Sequence, residues 1–559
     1  MIIAWLGGYS AAPLLAQGAA SNQTGPAELK SLTLEQLSEI EVTSASREPR
    51  AAFRSPVAIY VITGEDIRRS GVTTIPDALR LAPGVEVAQI DSNKWSVGIR
   101  GFGTRLSRSV LVLIDGRTVY TPLFAGTYWE VQDTLLEDID RIEVIRGPGA
   151  TIWGPNAVNG VINIITKRAK DTEATYASAG GGNVEQGFAN FRYGGEKGGL
   201  AYRGYVKGFT RGPDHHFDRD NFDDWRGVRG GFRMDWGGSR DQFTVSGDLY
   251  KQEDGERVSV STYVPAFTGS ADGTADLSGG DLLFQWKRTF SASNDFQLQA
   301  YYDRTNRYEP NLGEQRDTFD LDLLARTKIS ARQELIYGAE GRSSNGHFLE
   351  VISGLVFAPF HRDDTLLSGF LEDDITLVPQ KLLLMAGSKF LHTNYSGVDF
   401  QPSVRLMWTP TEATGFWAGF THAVRTPSDA EEDFYLSSYI GVTQTGLPYY
   451  ARFNANSTFA PEQLNGYEAG YRQLIGKSLS LDVAFFLNHY HNLFSLDAFL
   501  PPVIETSLPF PVPQQPPTHQ LLNAQWRNDL VGTRGAPRSH RSGAQPVFGG
   551  CEASIRSCI

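Results

Sequence analysis

Between Arg141 and Lys167 the chain reads Arg-Ile-Glu-Val-Ile-Arg-Gly-Pro-Gly-Ala-Thr-Ile-Trp-Gly-Pro-Asn-Ala-Val-Asn-Gly-Val-Ile-Asn-Ile-Ile-Thr-Lys. Two β-branched runs, Arg141–Ile145 and Val161–Thr166, flank a stretch of Gly, Pro and Asn, which predicts strand, long turn, strand. Ahead of this segment helix and strand signals mix. Behind it, strand follows strand. The chain is therefore expected to fold as a small compact domain followed by a large all-β one.

With 559 residues there is room for both. Gly 58, Tyr 22, Phe 32 and Trp 10 against Met 4 suit turns and aromatic girdles better than a helical core. A mean hydropathy of −0.28 fits a soluble chain, but a transmembrane barrel gives the same value because its lumen-facing half is polar. Apart from the N-terminus, no stretch reaches the ~18 apolar residues of a membrane helix. A net charge of −12 argues against nucleic acid as a partner. The two cysteines, Cys551 and Cys558, lie in the last ten residues. Met1–Ala20 carries no charge and ends in Gly18-Ala19-Ala20, as a secretory signal does, yet the first basic residue is Lys30. Residues 1–20 are read as the remnant of a signal whose start lies upstream.

Residues 50–170 read as a mixed α/β domain. Val57–Ile62 is a strand, Thr63-Gly-Glu-Asp66 caps a helix, and a second helix, Thr74–Leu81, stops at Pro83-Gly84. Strands follow at Val85–Ile90, Val97–Arg100 and Val110–Ile114, with Asp115-Gly116 as a tight turn. From residue 171 to 500 the strands alternate. Leu479, Leu481, Val483, Phe485 and Leu487 interleave with Ser480, Asp482, Ala484, Phe486 and Asn488; Phe296–Asp303 and Phe243–Leu249 do likewise. Short turns (Gly194-Gly195, Gly237-Gly238) trade with long polar loops (Gly212–Asp224, Gly255–Ser278, Pro427–Thr458), as in an outer-membrane barrel rather than a soluble sandwich. About fifteen strands are readable between Glu173 and Ser495.

The order Ile99-Arg-Gly-Phe102, Leu113-Ile-Asp-Gly-Arg117 and Arg141–Pro148, together with the whole of Arg141–Lys167, resembles the plug domain of TonB-dependent outer-membrane receptors. Ala423-Val-Arg-Thr-Pro-Ser428 and Pro461-Glu462…Tyr467-Glu-Ala-Gly-Tyr-Arg472 resemble their barrel motifs. The resemblance implies an N-terminal α/β plug inside a C-terminal antiparallel transmembrane β-barrel, of ~22 strands in that family. It also implies the outer membrane of a Gram-negative cell, outer-membrane lipid as surroundings, and a TonB energy-transducing complex as partner. The expected cargo is a scarce, bulky ligand, a ferric siderophore or cobalamin, with no cofactor and no enzymatic step.

By the same resemblance, Ile40, Glu41, Val42, Thr43, Ser44 and Ala45 form a TonB box within an arm spanning 21–49, an extended segment able to add a strand to a partner's sheet edge. An ordinary linker is the alternative. Arg100 and Arg146 are expected to pair with barrel carboxylates, Glu468 being the candidate, since guanidinium binds carboxylate bidentately and stays charged. The alternative is arginines that cap turns or sit in solvent. Trp95, Phe124, Tyr128 and Trp129 are candidates to stack on a flat ligand, or else pack against the barrel wall.

Other motifs read as structure. Gly147-Pro-Gly149…Gly154 lacks the Gly-Lys-Ser/Thr of a phosphate loop, and Pro148 removes a donor. His215-His216 with Asp214, Asp218 and Asp220 matches no metal spacing and reads as a solvated loop. After Asn523 alternation ceases. Codons for Gln525–Asp529 read one base later can encode Asn-Gly-Glu-Thr-Thr, so the tail from about 525 is expected to be out of frame, behind a Pro-rich loop at Pro501–Pro517. An open sheet cannot sit in lipid. One competing reading, a non-functional truncated fragment, follows from this; another, from a different class, is a non-transporting surface module such as an adhesin or passive porin.

Overall fold

The computed structural model describes residues 41–44, 47, 50–261, 266–349, 355–476, 479–496, 503–505, 519–527 and 547–557. The sequence also carries a helix-like patch at Leu32–Ile40, which lies outside them.

A short hairpin opens the described chain, β1 (Glu41–Val42) pairing with β2 (Arg50–Ala51). The small domain that follows carries β3 (Ile59–Thr63), β4 (Val85–Asp91), β5 (Lys94–Ile99), β6 (Val110–Ile114), β7 (Arg117–Thr118), β8 (Ile139–Arg146) and β9 (Gly160–Thr166). Its helices are α1 (Gly64–Ser70), α2 (Ile75–Leu79) and α3 (Ala150–Trp153). Thr63 and Asp66 form a reciprocal capping box at the start of α1, and Thr74 caps α2. The main sheet has the order β3-β8-β9-β6-β7, while β4 and β5 pair separately. The runs Ile142–Ile145 and Val161–Ile164 are buried on both faces because β8 and β9 are central and covered on both sides; Glu143 and Asn163 are their polar members. Asp115 and Gly116 take positive φ (50° and 86°), closing the two-residue turn between β6 and β7.

The second domain is one antiparallel sheet of sixteen strands. Its first six strands are β10 (Ala174–Gly180), β11 (Glu185–Lys197), β12 (Leu200–Arg211), β13 (Trp225–Gly237), β14 (Asp241–Ser261) and β15 (Thr268–Ser291). The series continues with β16 (Asn294–Glu309), β17 (Leu312–Ser330) and β18 (Gln333–Leu349). A short β19 (Leu355–Phe357) precedes β20 (His361–Val378), β21 (Leu382–Thr393), β22 (Gly397–Thr411) and β23 (Thr414–Arg425). After α4 (Asp429–Asp433) come β24 (Phe434–Val442), β25 (Pro448–Asn454), β26 (Glu462–Ile475) and β27 (Leu479–His491). The remaining strands are β28 (Ser495–Leu496), β29 (Val503–Glu505), β30 (His519–Arg527) and β31 (Val547–Ser557).

Outward positions are apolar and bare, as at Leu249, Phe319, Leu367, Phe400 and Phe485, whereas inward positions bury charge, as at Arg229, Arg316, Glu372 and Arg405. This inside-out alternation is that of a barrel in lipid with a polar lumen, here filled by the small domain. The sheet runs from β10 to β31, and these two edge strands are not paired with each other. Strands β19, β24, β25, β28, β29 and β30 form a smaller sheet over the long-loop end.

Three details differ from the sequence expectation. The first short turn is Gly198-Gly199, both at positive φ, while Gly194-Gly195 lies inside β11. A Cβ on Gly194 would meet the Thr172 carbonyl oxygen at 2.3 Å, so that glycine serves a close backbone approach, not a turn. The expected loop Gly255–Ser278 is largely strand, because β14 and β15 continue as a long ribbon paired from Asp241 to Ser261. Within the tail read as out of frame, Val547–Ser557 forms β31, paired along β27.

Candidate functional site

Two places decide what this molecule can do: where the arm meets the small domain, and where that domain meets the wall. Short turns mark the periplasmic end and long connections the extracellular one.

Of the six box residues, Ile40 and Ala45 lie outside the described residues. Val42 is fully buried among Val57, Ile59 and Ile145. Glu143, itself fully buried on β8, accepts the Thr43 N–H at 3.0 Å and the Ser44 N–H at 2.7 Å. Arg141 Nε donates to the same carboxylate at 2.8 Å. The Ser44 carbonyl accepts from Trp153 Nε1 at 2.7 Å, and Asn163 Nδ2 donates to its Oγ at 3.1 Å. A buried carboxylate is expensive unless its lone pairs are filled, and here backbone donors of the arm fill them. The arm is thus part of the domain's polar bookkeeping.

The barrel also holds the arm. Arg47 pairs with Asp322 on β17, and Arg50 with Asp374 on β20. From β26, Arg472 donates to the carbonyls of Ala52 (3.0 Å), Phe53 (3.2 Å), Ser55 (2.5 Å) and Val57, while its Nε pairs with Asp482 at 2.9 Å.

Arg100 Nη1 lies 2.8 Å from Glu468 Oε1, and its Nε 3.0 Å from Glu552. Arg146 does not reach Glu468; its Nη1 stands 3.1 Å from Glu552 Oε2, at ion-pair distance without hydrogen-bond alignment. Burial works against charge at both arginines. At Arg100 the two carboxylates more than offset it and hold the group above its ordinary value. At Arg146 burial prevails over Glu552, with the like charges of Arg100 and Arg472 adding to it, and the group is held below.

At the other end the domain's apex grips a loop. The Asp429 and Ala430 N–H groups, in the first turn of α4, donate to the carbonyls of Pro122 (3.0 Å) and Leu123 (2.9 Å). Ser428 and Glu431 close a capping box there. Glu431 is buried, yet Arg425 and Arg108 hold its carboxyl below the usual range. Arg362 faces two acids, Glu432 at 2.7 Å and Asp433 at 3.0 Å. Burial pushes Glu432 up to about 7 and Asp433 up to about 6, the Asp429 charge adding to both.

The four candidate aromatics separate. Trp95 is core, edge-on to Trp225 of the wall at 5.9 Å, and Trp129 is buried in the same cluster. Neither presents a face to a ligand, because both rings are spent packing the domain and the wall. Phe124 packs edge-on against Phe357 and Phe434. Tyr128 lies under the Arg307 guanidinium, 3.7 Å from ring to charge, and lines a cavity of about 140 Å³ with Tyr120, Tyr250, Tyr301 and Tyr395. Its hydroxyl is buried and makes no hydrogen bond.

Glu143, Arg47, Arg472 and Glu552 were not singled out from sequence. A charged residue amid Ile142, Val144 and Ile145 was the available signal for Glu143, and Arg472 closes a quoted barrel motif. Glu552 sits in the tail set aside as out of frame.

Residues 51–161 match the family model described as TonB-dependent Receptor Plug Domain, and residues 168–528 that described as TonB dependent receptor-like, beta-barrel. The chain belongs to the TonB-dependent receptor family. As such it is an outer-membrane protein, with a plug in a barrel.

Among relatives of this TonB-dependent receptor, the Vitamin B12 transporter BtuB of Vibrio vulnificus is 32% identical over 28% of this chain and 25% of its own length. The iron-regulated outer membrane virulence protein of Vibrio cholerae is 26% identical over 70% of this chain and 60% of its own. The chain thus spans a quarter to about three fifths of these relatives. The siderophore receptor PirA from Acinetobacter baumannii has the same fold, with a TM-score of 0.69 at 18% identity over 90% of this chain and 78% of that one. So does the ferric enterobactin receptor PfeA of Pseudomonas aeruginosa, in a variant complexed with enterobactin (TM-score 0.67, 20% identity, 89% and 78% covered).

Proposed function

We propose that this receptor imports a ferric siderophore or cobalamin, drawing on the proton-motive force through a TonB energy-transducing complex. The observation that carries the reading is the arm. Thr43 and Ser44 are held to the plug by hydrogen bonds to one carboxylate, Glu143. A passive pore needs neither the plug nor such an arm.

In sequence, ligand enters from the long-loop end and contacts the apex and α4. The contacts at Pro122 and Leu123 pass the change to the plug. The arm then leaves Glu143, extends into the periplasm and adds a strand to the partner's sheet edge. Transport chemistry is absent; the work is mechanical, and this chain supplies binding and release. The relatives named for vitamin B12 and for iron regulation, and the enterobactin-bound neighbour, support this ligand class.

The test expresses the chain in cells lacking their own receptors and follows labelled ferric enterobactin and cyanocobalamin. One of them is expected to bind at the surface and enter only in energised cells. Deleting 41–44 is expected to leave binding and remove entry. Entry unaffected by that deletion means a passive pore; no accumulation in the outer membrane means a non-functional fragment.

A further inference from the structure

Resting on the import reading, we propose that the turn between β6 and β7, at Asp115–Arg117, is the gate of the transport path, and that the path runs along the wall of β15, β16 and β17. The cavity beneath the apex is one of two stacked compartments. A second, of about 540 Å³, lies at the periplasmic end and is walled partly by Glu41, Thr43 and Arg47 of the arm.

The boundary between them is sharp in sequence. On β15, Asp281 faces the upper compartment and Gln285 the lower. On β16, Tyr301 and Asp303 face the upper, Gln297 and Gln299 the lower. On β17, Thr318 faces the upper and Asp322 the lower. The plug divides between two consecutive residues: Asp115 and Gly116 line the lower space, Arg117 and Thr118 the upper. This turn and the side chains it binds lie where the linings of the two compartments meet.

The turn is fastened to the wall by groups suited to reversible contact. Gln285 Nε2 donates to the Asp115 carbonyl at 2.9 Å, and Gln299 Nε2 to the Gly116 carbonyl at 3.0 Å. The two amides bond each other at 2.9 Å. Above them Arg117 bridges Asp281 (2.9 Å) and Asp303 (2.5 Å). Gly116 takes φ +86°, a conformation that favours glycine, and a Cβ there would stand 2.6 Å from Gln299 Oε1 and displace that amide. β7 is an edge strand of two residues, so Gly116 and Arg117 can swing while β6 stays paired to β9 and Asp115 stays anchored to Thr166, whose N–H and Oγ1 donate to its carboxylate at 2.8 and 2.7 Å. The arm forms part of the wall of the lower compartment, so its departure clears the exit while the turn's displacement opens the entrance.

The test needs no ligand. The full-length receptor, with both native cysteines replaced by serine, is placed in planar lipid bilayers and its ionic current recorded. The parent is expected to be silent. Arg117→Ala with Gln299→Ala is expected to conduct, with open events at least roughly tenfold more frequent, since charge-assisted and amide contacts are both lost. Gln285→Ala with Gln299→Ala, which keeps the ion pairs, is expected to fall between and serves if the first variant fails to fold. Adding Gln297→Cys should let a small thiol reagent block the current, placing the path in the lower compartment. Silent variants whose plug still resists protease, or a current indifferent to modification at residue 297, overturn the proposal. Because current is read without ligand, a chain that imports neither enterobactin nor cobalamin defeats the import reading and not the gate.

Discussion

Glu143 accepts the backbone N–H of Ser44 at 2.7 Å, across ninety-nine residues of chain. The carboxylate is acceptor-only, and the two arm N–H groups share it with Arg141 Nε, which donates at 2.8 Å. Replacing it with alanine is expected to release the arm without unfolding the plug. Loss of charge-assisted hydrogen bonds costs about 2 kcal/mol, roughly a thirtyfold rise in the undocked population. A spin label at Glu41→Cys should sharpen in the Glu143→Ala variant and sharpen less in Glu143→Gln. An unchanged spectrum would count against a latch at this residue.

Arg100 and Glu468 join the plug to β26 with almost no solvent between them; their side chains are 0% and 5% exposed. Arg100→Ala leaves a buried carboxylate uncompensated and is expected to destabilise the docked plug by about 3 kcal/mol. The double variant with Glu468→Ala should recover part of that loss. Calorimetry of the purified protein measures both. A single variant as stable as the parent would make the pair ornamental.

Tyr128 and Trp129 are neighbours with opposite expected phenotypes. The Tyr128 hydroxyl is unpaired in the apical cavity, so Tyr128→Phe should leave stability unchanged and weaken ferric enterobactin or cyanocobalamin binding roughly three- to tenfold. Trp129→Ala empties core volume and should cost the plug about 3–5 kcal/mol. Titrating each ligand on intact cells, beside melting curves, separates the two. Equal binding losses in both variants would contradict this division.

Acid should tighten the loop that carries α4. Glu432 and Asp433 sit at about 7 and about 6 when docked, above their ordinary values, so the docked loop binds protons more readily than the free one. That stabilisation is full below the ordinary carboxylate range and fades as pH rises through 6 and 7. Amide exchange at residues 429–433, corrected for intrinsic rates, should therefore be slower at about pH 5 than at about pH 8. Glu432→Gln with Asp433→Asn should flatten the difference.

Local chemistry was legible where the cause is local. Thr63 and Asp66 announce a capped helix, and Asp115-Gly116 a tight turn, because each needs only its neighbours. Alternation along β27 foretold its inward and outward faces. Gly194-Gly195 misled because two glycines in a row look alike whether they turn or merely clear room for Thr172. Trp95 could not be placed without knowing that Trp225 of the wall would meet it. The hold of Glu143 on the arm was hidden for the same reason. An acid in an apolar strand signals a buried partner, but not which distant backbone provides it.

Arg472 clamps the carbonyls of Ala52, Phe53, Ser55 and Val57, which under the proposed pull would direct how tension travels through this chain. A pull at Glu41 opens the β1–β2 hairpin from its free ends, so its bonds rupture one after another, like a zip. At Arg472 the load instead falls on several bonds at once, in shear, and passes sideways into β26. On that reading the arm is the sacrificial link and the guanidinium the cleat: force would be spent on the first few residues before any of it reached β3.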